Sequence, residues 1–503
     1  MRTWIFALWL TALAGLTTST VAAAARPLLD FYSFQSLASR EPAIASATAE
    51  NSGAGEAAYR SARALISGSM AAADAVTVRK DLKAAADEGH QQAMILYASM
   101  CAEGIGGERD EGTALELYKK CADASRTEAM VNLACLIATR ASSESSTELE
   151  ASMVLIRQAA DLGDPVAQSN LGTAYAYGLG FAKDASKAVQ WFVKASQSGL
   201  FSAQTKAGIL YTEGGPGLER NYTEGIRWLR RASDAGDAAA SYALAILCLD
   251  GRGGPKDESG AFRWFKRAAD RGSPYAQTNL GAMYEEGRGT EKNLTESVRY
   301  YKLAADNGAV GAQYNLARVY LNGIGVKADA KEAFAWCKRA ATAGLPDAIT
   351  TLGEMVRDGV GCEPDPEGAY LLFEKGREAG SQDAALNLAL AKLAGTGTPK
   401  DIDGARVELE KLAGTGVPRA LNALGTIYRD GVGVTRDNGK AANYFRAAAE
   451  KELPAALCNL AYMSEYGLGM PVDDEFAMDL YRRAAERGSA YAIAKLKRLA
   501  GNP

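Results

Sequence analysis

Along most of the chain apolar residues return every three or four positions, the spacing of one helix face, in short stretches that end at glycine. The segment from Gly272 reads GSPYAQTNLGAMYEEGRGTEKNLTESVRYYKLAADNG. Ala276, Leu280 and Tyr284 lie four apart and fall on one face of a first helix. Gly281, beside that leucine, is expected to let a neighbouring backbone approach closely. Gly287 ends the helix, since a left-handed cap suits glycine, and Gly289 follows in the same tight loop. A second helix carries Tyr300 and Tyr301, then the small pair Ala304 and Ala305, and Gly308 closes it. The same frame recurs at Ala167, Leu171, Tyr175, Gly178, Gly180, Trp191, Phe192 and Ala195, and at Leu424, Tyr428, Gly431, Gly433, Tyr444, Phe445 and Ala448.

The closing glycines Gly236, Gly272, Gly308, Gly344, Gly380 and Gly416 are each 36 residues apart, and the next steps land on Glu452 and Gly488. Earlier anchors fall at Gly53, Gly89, Ser125, Gly163 and Gly199. Twelve units therefore span residues 53–487, the first and third of them worn. A hairpin of this length cannot bury its apolar face alone, and stacking with its neighbours does. The prediction is an all-α fold in one elongated domain. It is an α-solenoid, a right-handed superhelix of about twelve 36-residue helix-turn-helix repeats, with a C-terminal capping helix and tail in 488–503. Alanine pairs permit close helix approach, and the bulky second-helix aromatic is expected to fill the gap between layers. In the capping helix Ala492, Leu496 and Ala500 form the inner face, with Lys495, Lys497 and Arg498 on the others.

Residues 1–25 break the pattern. Arg2 precedes an apolar run from Trp4 to Leu16, and A-x-A triplets end at Ala24 or Ala25. This is the layout of a cleaved export signal, and the run is shorter than the ~20 residues a membrane span needs. An Ala/Ser-rich linker is expected over 26–52, holding a small apolar patch of Leu28, Leu29, Phe31 and Tyr32. After removal of the leader no stable membrane span remains, and the product would be periplasmic or secreted in a bacterium, or in the endoplasmic-reticulum lumen or outside the cell in a eukaryote.

Composition narrows the chemistry. The 503 residues carry 56 Lys and Arg against 60 Asp and Glu, a net charge of −4, without the basic stripe of a nucleic-acid binder. Hydrophobic residues at 48% and charged residues at 23% belong to a folded chain. Glycine numbers 52 against 14 prolines, which fits fixed turn positions. His90 is the only histidine, so Ser-His-Asp triads away from it, multi-histidine zinc sites and HExxH metalloprotease sites are excluded. No cofactor or metal is expected.

The frame A-x-x-x-L-G-x-x-Y-x-x-G-x-G, followed by an aromatic and an A-A-x-x-G ending, resembles the Sel-one-like repeat (SLR) family, a relative of the tetratricopeptide repeats. The resemblance covers about residues 53–500. Plain tetratricopeptide arrays have a period of about 34 and a proline near the end of the second helix; here the period is 36, the loop holds G-x-G and the closing residue is glycine. The resemblance implies an adaptor that brings other proteins together. Exported bacterial members are associated with signal regulation, envelope polysaccharide assembly and host interaction, and a eukaryotic branch with endoplasmic-reticulum quality control. Cysteine-rich relatives are described as acting on β-lactams.

Two registers stand out as candidate partner-binding sites. The residue before the first-helix leucine is Asn132, Asn170, Asn279, Asn315, Asn387 and Asn459. Asparagine is a poor helix-interior residue, so its return asks for a cause. Stacked amides could hydrogen-bond the backbone of an extended peptide, or each could tie the adjacent inter-repeat loop. Seven residues on stand Glu103, Glu213, Asp250, Glu286, Asp358 and Asp430, at helix ends where the dipole disfavours carboxylates. They are read either as an acidic row facing a basic partner or as a solvated surface. The G-x-G loops join two helices, which argues against a phosphate cradle.

Seven cysteines are present, and Cys101, Cys121 and Cys135, on successive helices, are candidates to supply one disulfide in an exported compartment. Glycosylation sequons at Asn221 and Asn293 sit in loops opening second helices. The expected function is that of an exported, non-enzymatic scaffold, monomeric, binding one or more proteins or peptides on its concave surface. Two alternatives stand beside it: a β-lactam-hydrolysing enzyme, against which there is no S-x-x-K motif, and a eukaryotic quality-control adaptor.

Overall fold

The computed structural model describes Asp30 and residues 54–66, 72–140 and 146–500. The leader over 1–25, the linker apart from Asp30, and the last three residues lie outside the described residues. Among these, 25 α-helices follow one another with no strand, and a lone bridge joins Gly215 and Leu218.

Two compact units divide at Ser273 and Pro274. The first contains six hairpins: α1 Ala54–Ile66 with α2 Ala72–Asp87, α3 Gln91–Glu103 with α4 Glu111–Asp123, α5 Thr127–Arg140 with α6 Ser146–Asp161, α7 Pro165–Tyr177 with α8 Ala185–Gln197, α9 Ser202–Glu213 with α10 Tyr222–Asp234, and α11 Ala238–Asp250 with α12 Glu258–Ala269. The second contains six more and a final helix: α13 Pro274–Glu286 with α14 Leu294–Asp306, α15 Val310–Asn322 with α16 Ala330–Thr342, α17 Pro346–Asp358 with α18 Pro366–Glu378, α19 Gln382–Ala394 with α20 Ile402–Gly414, α21 Pro418–Asp430 with α22 Asn438–Ala449, α23 Pro454–Glu465 with α24 Asp474–Glu486, and α25 Ala490–Ala500.

Each hairpin is punctuated by polar and glycine chemistry. Among the described residues, ten of the twelve second helices start at an Asp or Asn whose side chain accepts a backbone N–H of the first turn, as Asp110, Asp257, Asp365 and Asp473 do. Such a cap contributes about 1 kcal/mol. The two sequon asparagines belong to this set: Asn221 accepts from the N–H of Glu224 and Asn293 from that of Glu296. Most first helices end at glycines in the left-handed region, among them Gly178, Gly323 and Gly431 at φ 79°, 66° and 72°.

The second glycine of G-x-G does something else. A Cβ on Gly325 would lie 2.7 Å from the Cβ of Leu294 and 2.9 Å from its carbonyl oxygen. On Gly361 it would strike the carbonyl of Ala330, and on Gly397 that of Pro366. Leu294, Ala330 and Pro366 each open the second helix of the preceding hairpin. The loop of one hairpin thus rests on the helix start of the one before it, which only a residue without a side chain allows.

The core follows the frame. Ala276 and Leu280 are fully buried, and the leucine alone contributes ~1.5–3 kcal/mol. Tyr284 is half-buried and stacks on Tyr300 at 5.8 Å. Two expectations are corrected. Gly281 makes room for the Tyr301 ring, not for a backbone, and Gly353 and Gly425 do the same for Phe373 and Phe445. The second-helix aromatic is therefore seated on the glycine of its own hairpin, and Tyr301 also belongs to the buried cluster that holds Ala312 and Leu316 of the next one. Lys495 does not lie on an outer polar face: it is 8% exposed and pairs with Glu465 at 2.6 Å, while Lys497 and Arg498 are exposed. A long alkyl stem lets the lysine bury its carbons and still meet a carboxylate.

Candidate functional site

The asparagine register runs along first helices, and its members meet different neighbours. Asn170, on α7, is fully buried and grips the backbone of Asp30 at both ends. Its Nδ2 donates to the Asp30 carbonyl at 2.7 Å, and its Oδ1 accepts the Asp30 N–H at 2.7 Å. The Asp30 carboxylate is held by Lys206 Nζ of α9 at 2.6 Å and by the Ser169 hydroxyl at 3.2 Å. Lys206 also donates to Ser169 at 3.0 Å, which fixes both groups. From α5, the Cys135 thiol approaches the same Asp30 carbonyl at 3.5 Å. Asp30 is thus held from three successive first helices.

Asn132, also on α5, is buried and donates to the Tyr118 hydroxyl at 3.1 Å. In the second unit Asn279 donates to the Tyr275 carbonyl of its own helix at 2.8 Å. Asn315 is half-buried and makes no side-chain hydrogen bond among the described residues. Asn387 is 2% exposed and donates to Glu354 at 2.9 Å, leaving its Oδ1 without a partner among the described residues. Asn459 donates to Asn422 Oδ1 at 2.9 Å and accepts from Arg429 at 3.3 Å.

Four of the six acidic register residues are paired with arginine, and Glu103 accepts from the Ser99 hydroxyl at 2.7 Å. Asp358 is bidentate with Arg357 at 2.7 and 2.8 Å, and Asp430 with Arg429 at 2.7 and 2.9 Å. Those guanidinium groups hold both carboxyls below their usual range. Glu286 pairs with Arg288, and Asp250 with Arg252 at 3.2 Å. Arg429 joins the two registers, since it binds both Asp430 and Asn459, and these residues line a cleft of about 670 Å³ with Arg436, Tyr462, Ser489 and Tyr491. Glu213 differs: burial pushes its carboxyl up to about 7 against the pull of Arg252 and Arg220.

All seven cysteines are free. The pairing considered for Cys101, Cys121 and Cys135 is not formed, because each sulfur meets a different neighbour: Arg79 for Cys101, Met94 and the Gln91 carbonyl for Cys121, the Asp30 carbonyl for Cys135. Burial pushes the Cys135 thiol up to about 12, which removes it from thiolate chemistry. No group of three or more His, Cys, Asp or Glu side chains that could hold a metal ion occurs among the described residues. None of the described helices is long and apolar enough to cross a membrane.

Lys206 and Ser169 were not singled out by sequence. The signal was present: Lys206 stands seven residues after Gly199, as Asn170 stands seven after Gly163. A search for a repeated residue type passes over a register position where the type changes.

Stacked hairpins of one repeated frame define a helical-repeat protein built on the scaffold fold of protein-interaction modules. The Sel1 repeat profile matches residues 91–125, 165–200, 201–237, 238–273, 274–308, 310–345, 346–381, 382–406, 418–453 and 454–489. The chain belongs to the Sel1 repeat family. The two hairpins without a profile match, α1 with α2 and α5 with α6, are the worn units.

A protective antigen of uropathogenic Escherichia coli displaying an SLR fold, c5321, is similar at a TM-score of 0.60 and 26% identity, over 84% of this chain and 90% of that one. The ERAD-associated E3 ubiquitin-protein ligase component HRD3B of Arabidopsis thaliana is 35% identical over 104 residues, 20% of this chain and 16% of the relative. The chitin synthase regulator SKT5 of Saccharomyces cerevisiae is 33% identical over 133 residues, 26% of this chain and 19% of the relative. The chain thus spans less than a fifth of these two curated relatives.

Proposed function

We propose that the chain is an exported, non-enzymatic, monomeric scaffold that holds other proteins by extended segments laid across its first helices. The observation that carries this reading is the two-ended grip of Asn170 on the Asp30 backbone. A side-chain amide pairs with a peptide unit through one donor and one acceptor, so it accepts a backbone of any sequence. The family supports the reading, as do relatives named as a ligase component and a synthase regulator. Export rests on the leader pattern of residues 1–25.

The test is selection of peptides from a display library on the purified chain, followed by affinity measurement with Asn170→Ala and Asn315→Ala. Loss of about tenfold in affinity, near 1.4 kcal/mol, with unchanged helicity supports the reading; affinity indifferent to both substitutions overturns it. N-terminal sequencing of the chain from its own cells tests export, which a start at Ala25 or Arg26 supports and a start at Met1 refutes. Turnover of a chromogenic β-lactam would favour the enzymatic alternative.

A further inference from the structure

We propose that Ser169, Asn170 and Lys206 form a subsite specific for an aspartate within an extended segment, and that Asp30 of the same chain is its resident occupant, which a partner segment of the same chemistry must displace. The proposal rests on the scaffold reading and adds to it a side-chain specificity and a competitor in cis.

Two kinds of recognition meet here. Asn170 reads only backbone, whereas Lys206 and Ser169 read the carboxylate. Lys206 takes the register position that asparagine holds one hairpin earlier, so backbone reading gives way to charge reading at that step. The Asp30 carboxylate is reached from two first helices, by Ser169 beside Asn170 on α7 and by Lys206 on α9. A glutamate would carry its carboxylate one methylene further and lose the bond to Ser169. Lys206 has no second carboxylate partner among the described residues, and its Nζ lies 6.0 Å from the Phe192 ring centroid.

Occupation in cis sets a threshold. A tethered segment competes as an intramolecular ligand, so a free peptide with the same single aspartate contact binds the unaltered chain more weakly. A partner that adds contacts along neighbouring first helices displaces it.

The experiment uses the full chain and a fluorescent nonapeptide of its own residues 26–34, RPLLDFYSF. Anisotropy should show binding to the Asp30→Ala chain at least about tenfold tighter than to the unaltered chain. In the Asp30→Ala background, Lys206→Gln and Asn170→Ala should each weaken binding about tenfold, as should alanine in place of the peptide's aspartate, while Lys206→Arg should retain it. Circular dichroism confirms that each variant is folded. Equal binding to the Asp30→Ala and unaltered chains overturns the occupancy. Binding that depends on Asn170 but ignores Lys206 and the peptide aspartate overturns the specificity and leaves the scaffold reading standing. A peptide that binds no form of the chain overturns the subsite, and the library selection decides the scaffold reading by itself.

Discussion

The Tyr301 ring lies against Gly281 so closely that a Cβ on the glycine would fall 2.6 Å from two ring carbons. The ring cannot swing away freely, because its hydroxyl donates to Glu285 at 3.0 Å, and Arg318 of the next hairpin holds the same carboxylate oxygen at 2.6 Å. Glycine here buys space at the cost of helix propensity.

Gly281→Ala should therefore destabilise the second unit by about 1–3 kcal/mol despite alanine's better propensity. Gly311, in α15, has no atom within 4 Å of the position a Cβ would take. Gly311→Ala should instead stabilise by about 0.5 kcal/mol. Urea denaturation of the two variants side by side decides the sign of each.

The hairpin pattern was legible because it depends on local chemistry: four-residue apolar spacing and glycines at turns. The glycine frame even reached two positions that hold no glycine. Ser125 and Glu452 fall on its steps, and they adopt φ 60° and 58°. What stayed hidden depends on pairing across hairpins. The Gly361 and Ala330 contact, the burial of Lys495 on Glu465 and the Asp30 site each join residues that no helical period relates.

Ser125 and Glu452 are the non-glycine residues at positive φ among those described, and that conformation costs an L-residue about 1–2 kcal/mol. Ser125→Gly should stabilise the first unit by about 0.5–1 kcal/mol after the entropic cost of glycine. The reverse change, Gly416→Ala, should destabilise although nothing lies within 4 Å of the new Cβ, since φ is +81°. Thermal melts of the two variants check both signs.

Glu213 gives the first unit a pH dependence. Burial raises its carboxyl from 4.5 to about 7, with Arg252 and Arg220 opposing and the Tyr177 phenol, itself raised chiefly by its own burial, nearby. Because the folded value is the higher one, its contribution is fully present below about 4.5 and is lost as pH rises through about 7. Glu213→Gln should leave stability unchanged at pH 4.5 and raise the melting temperature at pH 8 by about 2–4 °C. A variant equally stable to the unaltered chain at pH 8 would place that carboxyl in water.

Asn315 and Asn387 share one register and differ in what they do for the fold. Asn315 makes no side-chain hydrogen bond among the described residues, so nothing in its helix or the adjoining hairpins depends on its amide. Asn387 is almost fully buried and satisfies Glu354 with its Nδ2. Asn387→Ala should cost about 1–2 kcal/mol, because it leaves a cavity and strips a carboxylate of its donor. Asn315→Ala should cost less than about 0.5 kcal/mol, because no hydrogen bond is lost with the amide. If the register serves extended segments, peptide affinity should fall with Asn315→Ala at unchanged stability, so denaturation and binding measured on both variants separate an amide that faces a partner from one that the fold itself consumes.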